Sequence, residues 1–421
     1  MQAHLQVSDV DTRNPVCTLT DPPDPGDAVP CQSPGAIVIG GAHGSIAVAR
    51  SLGRRGVPVW LFTNDQPIAR FSRYVHCGPK WPANPAGKIK VLLETAAKYG
   101  LQGWTLFAGS DMEAQFLSQH HSILDGCFRT TTPPWDVVRW AYDKRFTYNL
   151  AAEVGVDLPW TYSPRSRHDA ASLTGPFPMV VKPAVKEHSN RFIREKAWRA
   201  DNRKELLARY DQAASLVDPG IILLQELIPG SGETQFSYAA LWGKHGPVAS
   251  LVARRLRQYP IDFGYTSTYV ETLEQPEISR AAERLLRAMN YTGLVEVEFK
   301  YDAREKRYKL LDVNARLWTW NALGCRAGID FPYLMWLQSQ GKPVPQCIAR
   351  TGVGWLHASR DLVAALLEIR RGTLSAGAYL RSLRGPKEFA AFAIDDPLPA
   401  IVGFPLLAVR LMRRYARLGH A

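Results

Sequence analysis

The stretch "LLDVNARLW", residues 310–318, splits into two unlike sets when read at every second position. Leu311, Val313, Ala315 and Leu317 are apolar; Asp312, Asn314 and Arg316 are polar. A period of two predicts a strand with one buried face and one open face. Asp and Asn are poor strand formers, so an acid, an amide and a guanidinium on one face need a reason. A second run, "LVEVEFK" (294–300), alternates too, with Val295, Val297 and Phe299 set against Glu296, Glu298 and Lys300. The polar "YDAREKRY" between the two runs predicts an antiparallel hairpin. With its turn centred on Glu305, Glu298 lies opposite Asp312, and Glu296 opposite Asn314. Opposed residues on one face have Cβ atoms about 4.5–5.5 Å apart. Two carboxylates that close repel unless a cation or a proton sits between them. Oxygens of Glu, Asp and Asn are the ligands of a hard cation such as Mg²⁺, and Arg316 beside them is an anion clamp. A divalent metal bridging to a phosphate chain accounts for all four. A solvated sheet face accounts for Glu296 and Lys300, but poorly for Asp312 and Asn314 inside an apolar run.

The rest of the chain is consistent with a folded protein of several domains. It has 421 residues, 46% hydrophobic and 21% charged, which are ordinary globular values. The formal net charge of +12 suits either an anionic partner or solubility alone. Six cysteines, at 17, 31, 77, 127, 325 and 347, include no C-x-x-C pair. Their spacing supports neither a zinc site nor a disulfide framework and fits a reducing cytoplasm. The opening "MQAHLQVSDVDTRNP" lacks a basic segment followed by an apolar run, so no signal peptide is expected. No stretch reaches the roughly 18–20 apolar residues of a membrane span.

Residues 1–34 are rich in Asp, Pro, Thr and Ser and are expected to be a disordered tail. "GAIVIGGAHGSIAVARSLGRRGVPVWLF" predicts a β-α-β unit, and "WTLFAGSD" a further strand before a helical segment. Residues 35–130 therefore form an N-terminal parallel-sheet domain. Its Gly40, Gly41 and Gly44 give G-G-x-x-G rather than the dinucleotide fingerprint, so a tight strand-to-helix turn competes with NAD(P) binding by an oxidoreductase. Ser110 and Asp111, at the carboxyl edge of that sheet, are candidates for contacting an acceptor substrate. Beyond it, strands with mixed antiparallel signals predict an α+β region.

The order of motifs there resembles the ATP-grasp superfamily. Asp143-Lys144 opens a helix, Pro178-Met179-Val180-Val181-Lys182 ends a strand, and Gln225-Glu226 closes another. Val297-Glu298-Phe299 and Asp312-Val313-Asn314-Ala315-Arg316 follow. The likeness covers about residues 35–345 and looks nearest to the carboxylate–amine ligases and to the carbamoyl-phosphate synthetase and biotin carboxylase branch. It implies an α/β and α+β protein: a pre-ATP-grasp domain, then a two-subdomain ATP-grasp fold over 131–345 with a lid at about 160–225. It implies ATP, with Mg²⁺ or Mn²⁺, as cofactors. Lys144 and Lys182 would contact the phosphates and adenine side, Gln225, Glu226 and Ile228 would line the adenine, and Glu233 would lie near the ribose. Glu298 and Asp312 would be the metal carboxylates with Asn314 beside them, and Arg316 and Asn314 would act on the transferring phosphate or acyl phosphate. Two departures stand out. The second metal carboxylate is usually Glu and here is Asp312, and the lid loop reads "AVKEHSN", where Ser189 is the one candidate for a phosphate contact.

Arg254, Arg255 and Arg257 form a basic segment that either receives a substrate carboxylate or is solvated. Residues 346–421 are expected to be a helical, basic extension. In it "LPAIVGFPLLAV" precedes Arg410, Arg413, Arg414 and Arg417. Such a run can lie on an anionic membrane surface, or pack on the body of the protein or on a second copy. No nucleic-acid module is present, so no nucleic-acid partner is expected. The expected function is a cytoplasmic ligase, peripheral at the membrane if the tail docks there. It would activate a small carboxylate as an acyl phosphate and join it to an amine. An ATP-binding protein without turnover, or an enzyme of the carbamoyl-phosphate and biotin carboxylase type using bicarbonate, are the alternatives.

Overall fold

The computed structural model describes residues 34–64, 67–185, 197–261 and 266–403. The N-terminal tail, Ser189 and Arg410, Arg413, Arg414 and Arg417 lie outside these. The chain begins with β1 (Ala36–Ile39), α1 (His43–Gly53), β2 (Val59–Phe62), β3 (Val75–Cys77), α2 (Pro85–Tyr99) and β4 (Thr105–Ala108). It continues with α3 (Asp111–Gln119), α4 (His121–Asp125) and β5 (Arg129–Thr130). These strands form a parallel sheet ordered β3-β2-β1-β4-β5, as the alternation of apolar runs and helices requires. At the crossover between β1 and β4, the two following loops open at the carboxyl edge.

After α5 (Trp135–Tyr142) and α6 (Lys144–Glu153) comes a smaller unit: β6 (Thr161–Tyr162), α7 (Arg167–Ser172), β7 (Met179–Pro183), β8 (Trp198–Ala200), α8 (Arg203–Ala214) and β9 (Ile222–Glu226). Its antiparallel sheet runs β6-β9-β7-β8. The largest sheet is built from β10 (Gln235–Gly243), β11 (Gly246–Tyr259), β12 (Thr266–Leu273), β13 (Gly293–Asp302) and β14 (Arg307–Asn314), with α9 (Pro276–Ala288) crossing between β12 and β13. Proline at the first helical position suits α9, since it lacks only a donor that would be unsatisfied. Ile278, Ala281, Ala282, Leu285 and Leu286 are its buried stripe. They pack with Val295, Val297, Phe299, Leu310 and Val313, the apolar face of the hairpin β13–β14. The polar face is thereby fixed towards the opposite side.

Then follow α10 (Ala322–Ala327), α11 (Phe331–Ser339), β15 (Gly354–Leu356), α12 (Ala358–Arg370), α13 (Ala376–Ser382) and β16 (Lys387–Phe389). The region after residue 345 carries helices, as expected, but also adds β15 and β16 to the large sheet, in the order β14-β13-β10-β11-β12-β15-β16. It is tied in by buried ion pairs. Arg257 of β11 meets Asp361 of α12 at 2.8 Å, and Arg50 of α1 meets Asp396 at 2.9 Å. The N-terminal and large sheets share a core in which Val48 and Leu52 join Leu241, Trp318, Phe331 and Trp355. Cys127, Cys325 and Cys347 are free, whereas Cys77 is disulfide-bonded, which the cysteine spacing did not suggest. Among the described residues no helix is long and apolar enough to cross a membrane.

Candidate active site

The hairpin pairs Glu298 with Asp312 and Glu296 with Asn314, as the alternation predicts. The ladder slips by one residue between Glu298 and Phe299, so that Phe299 faces Leu310. Leu311 is the extra residue of a bulge. It therefore does not join the apolar face but lines the cleft beside Asp312. Without that slip the turn closing at Asp302 and Arg307 would be out of register with the site.

Glu298, Asp312, Asn314, Arg316 and Lys300 form one wall of a cleft of about 1130 Å³. The small sheet provides a second wall through Val180, Lys182 and Gln225, with Ile228 just past its edge, and the N-terminal sheet closes one end with the Gly40–Gly44 turn, Ser110 and Asp111. A single small ligand usually fills about 300–1,000 Å³, so this cleft has room for a nucleotide and a second molecule.

The two carboxylates are offset by two ammonium groups. Lys144, the first residue of α6, reaches Asp312 at 3.4 Å. It is held there because Asp143 caps the helix and the Lys144 amide bonds to the Ala184 carbonyl. Lys182 donates to Tyr148 Oη (2.9 Å) and Gln225 Oε1 (2.8 Å). Burial pushes its ammonium down to about 8, against the pull of Asp312 and Glu298. Asn314 donates to Glu296 (3.2 Å) and Glu298 (3.1 Å), and its carbonyl oxygen accepts from Arg316 (3.1 Å). Its amide is thus an organiser that orients both carboxylates and the guanidinium. Arg316 also meets Asp111 at 3.2 Å, joining the hairpin to the N-terminal domain.

Glu296 is not on a solvated face. It is buried and accepts from Ser237 and Trp320, each at 3.0 Å. Burial, and then the charge of Glu298, hold its carboxyl up at about 7. The donor set facing the cleft, two opposed carboxylates steered by an amide, fits a hard divalent cation. The other acidic cluster, Glu226, Asp302 and Glu305, does not. The Lys309 ammonium already sits on all three, at 2.6, 3.1 and 2.7 Å.

Of the nucleotide-side candidates, Gln225 and Ile228 line the cleft. Glu226 lines it too, but its carboxylate is committed to Lys309, to Arg304 (2.7 Å) and to the Trp160 amide (2.9 Å). The side chain anchors the end of β9, leaving the backbone to face the cleft. Glu233 is not in the cleft wall; it sits on a short turn with its carboxylate bonded to Ser231, which does line the cleft. Arg254, Arg255 and Arg257 do not make one basic patch. Arg255 alone approaches the acidic pair, 3.8 Å from Glu298, while Arg257 is consumed by Asp361. The glycines serve a close approach: a Cβ on Gly44 would stand 3.0 Å from the Trp318 carbonyl, just past Arg316.

Sequence reading overlooked several cleft residues, Lys300, Gln258, Arg360 and His43 among them. Lys300 shares the open face with Glu298 and was visible in the alternation; burial pushes its ammonium down to about 8. Gln258 and Arg360 carry no local pattern. His43, in the Gly40–Gly44 turn, has its ring 4.6 Å from that of His357.

Comparison with known proteins points the same way. A model of the family described as "ATP-grasp in the biosynthetic pathway with Ter operon" matches residues 223–355, which include the hairpin. The D-aspartate ligase of Enterococcus faecium (strain Aus0004) is 25% identical over 226 residues, 51% of this chain and 53% of the ligase. The chain thus spans about half the length of that relative. The L-amino acid ligase of Bacillus licheniformis superposes with a TM-score of 0.55 at 14% identity, over 73% of this chain and 74% of the other. The biotin carboxylase domain of Hydrogenobacter thermophilus 2-oxoglutarate carboxylase, solved with MgADP and bicarbonate, gives 0.60 at 14% identity, over 76% and 74%. At such identities these two are likenesses of fold.

Proposed function

We propose that this chain, a member of the ATP-grasp superfamily, is an ATP- and Mg²⁺-dependent ligase that activates a carboxylate as an acyl phosphate and joins it to an amine. One observation carries the reading: Glu298 and Asp312 oppose each other across the hairpin while Lys144, Lys182 and Arg316 line the same cleft. Mg²⁺ held by Glu298 and Asp312 would neutralise phosphate charge. Lys144 and Lys182 would hold the triphosphate, whose base would lie against Gln225, the backbone at Glu226, and Ile228.

A carboxylate oxygen of the first substrate attacks the γ-phosphorus, and ADP leaves with the bridging oxygen. Arg316, steadied by Asn314 and Asp111, faces the charge on the transferring group. The amine then attacks the acyl carbon, phosphate departs with the former carboxylate oxygen, and the amine proton passes to water. No protein nucleophile is needed; positioning and charge do the catalysis. The second substrate would enter at the end closed by His43, Ser110 and Asp111.

An ADP-release screen over amino acids, other carboxylates and bicarbonate, each with and without amines, tests this. Release that needs both a carboxylate and an amine supports it. Release that needs bicarbonate would place the chain with the carboxylases, and ATP binding without release under any pair would contradict catalysis. Lys182→Ala is expected to weaken ATP binding about 10–100-fold, the worth of one or two charge-assisted hydrogen bonds, with the fold intact. Calorimetry showing unchanged ATP affinity would make Lys182 a packing residue.

A further inference from the structure

Helix α12 is buried by the wrong face. A surface helix normally turns its leucines inward and its small or polar residues outward. Here Asp361, Ala364 and Ala365 are buried, each at 0% exposure, against the large sheet. Leu362, Val363, Leu366 and Leu367 are 50%, 41%, 58% and 41% exposed. They recur at i, i+1, i+4 and i+5, one continuous side of the helix. The inward face is fixed by chemistry: Asp361 takes both Arg257 and Thr268 (2.9 Å), which leaves the leucines no route to the core. On the following helix α13, Leu380 is 63% exposed.

Exposed cations stand at the ends of both helices. Arg370 and Arg371 end α12, and Arg381 and Arg384 flank the end of α13; all four are exposed. Glu368, the one acid within α12 besides Asp361, is half-buried. Exposed apolar side chains with exposed arginines at the ends of the two helices, and no exposed acid within either, match the boundary of an anionic lipid surface: acyl chains for the leucines, headgroups for the arginines. A second copy of the chain fits less well, because two such faces would set their arginines against each other in a protein of net charge +12.

We propose that the exposed face of α12 docks on an anionic membrane surface. Arg360, in the first turn of the same helix, lines the catalytic cleft. A 13-residue helix is about 20 Å long, so docking brings the cleft close to the headgroups.

The test is co-sedimentation of the full chain with phosphatidylcholine vesicles, with and without about 30% phosphatidylglycerol. The wild type and Leu362→Glu/Leu366→Glu are compared, with melting temperature and ATP binding as controls. The wild type is expected to bind only the anionic vesicles and to be released by salt. The double variant, with unchanged melting and ATP affinity, is expected to bind at least 10-fold more weakly. Equal binding by the variant would assign any association to another segment and overturn the proposal, as would a wild type that ignores anionic vesicles. A dimer in analytical ultracentrifugation that the double variant splits would also overturn it, making the face a self-interface. None of these outcomes depends on the ligase reading.

Discussion

Asp312→Asn is expected to slow turnover about 10²–10³-fold. The substitution keeps shape and an oxygen but removes one of two charges that the cation needs. Losing roughly 3–4 kcal/mol of transition-state stabilisation gives that rate. Stability in metal-free buffer is expected to hold or rise. The variant gives up the 3.4 Å pairing with Lys144, but it also relieves the repulsion across the hairpin from Glu298. A purely structural Asp312 predicts the reverse pattern, with lower melting temperature and near-normal turnover per folded molecule. Thermal denaturation and ADP release on one preparation separate the two.

Lys309→Met is expected to cost about 3 kcal/mol of stability at neutral pH. Its ammonium is the shared partner of Glu226 and Asp302, both buried, and of Glu305. Removing it leaves uncompensated buried charge, which typically costs about 3–5 kcal/mol. The low end applies because Arg304 still pairs with Glu226 and Asp302. The loss has a pH signature. Hydrogen bonds from Arg304, and then from Lys309, hold the Asp302 carboxyl far below the usual range. Burial alone would raise Glu226, but Lys309, the Trp160 amide and Arg304 together bring it below its ordinary value. Both carboxyls are depressed by folding, so their contribution is present above about pH 4 and fades as pH falls. The gap between wild type and variant should therefore be widest at neutral pH and narrow in acid. Urea unfolding at pH 7 and at about pH 2.5 measures it, and a gap below about 1 kcal/mol at pH 7 or independent of pH would contradict the assignment.

Much of the site is legible in sequence because it lies on two strands joined by a short turn. Period-two alternation puts Glu298, Asp312 and Asn314 on one face, and nearness in the chain makes the register easy to infer. The bulge is not legible. Leu310 and Leu311 are both apolar, and only the ladder decides which one packs in the core. Distance along the chain hides the rest. Lys309 meets Glu226 from 83 residues away, and Arg257 meets Asp361 from 104. A motif at Glu226 therefore does not reveal that its carboxylate anchors the strand end while the residue still lines the cleft. The strands β15 and β16 have three residues each, too few for a period to show. The extension accordingly reads as helical, although it completes the large sheet.

Oxygen-18 transfer tests the central claim most directly. The carboxylate that drives ADP release is supplied with both oxygens labelled, and the released phosphate is analysed by mass. Attack on the γ-phosphorus followed by capture of the acyl phosphate predicts one labelled oxygen in each phosphate and an amide retaining the other. Phosphate free of label, with ADP still formed, would show that no acyl phosphate lies on the path and would contradict the account.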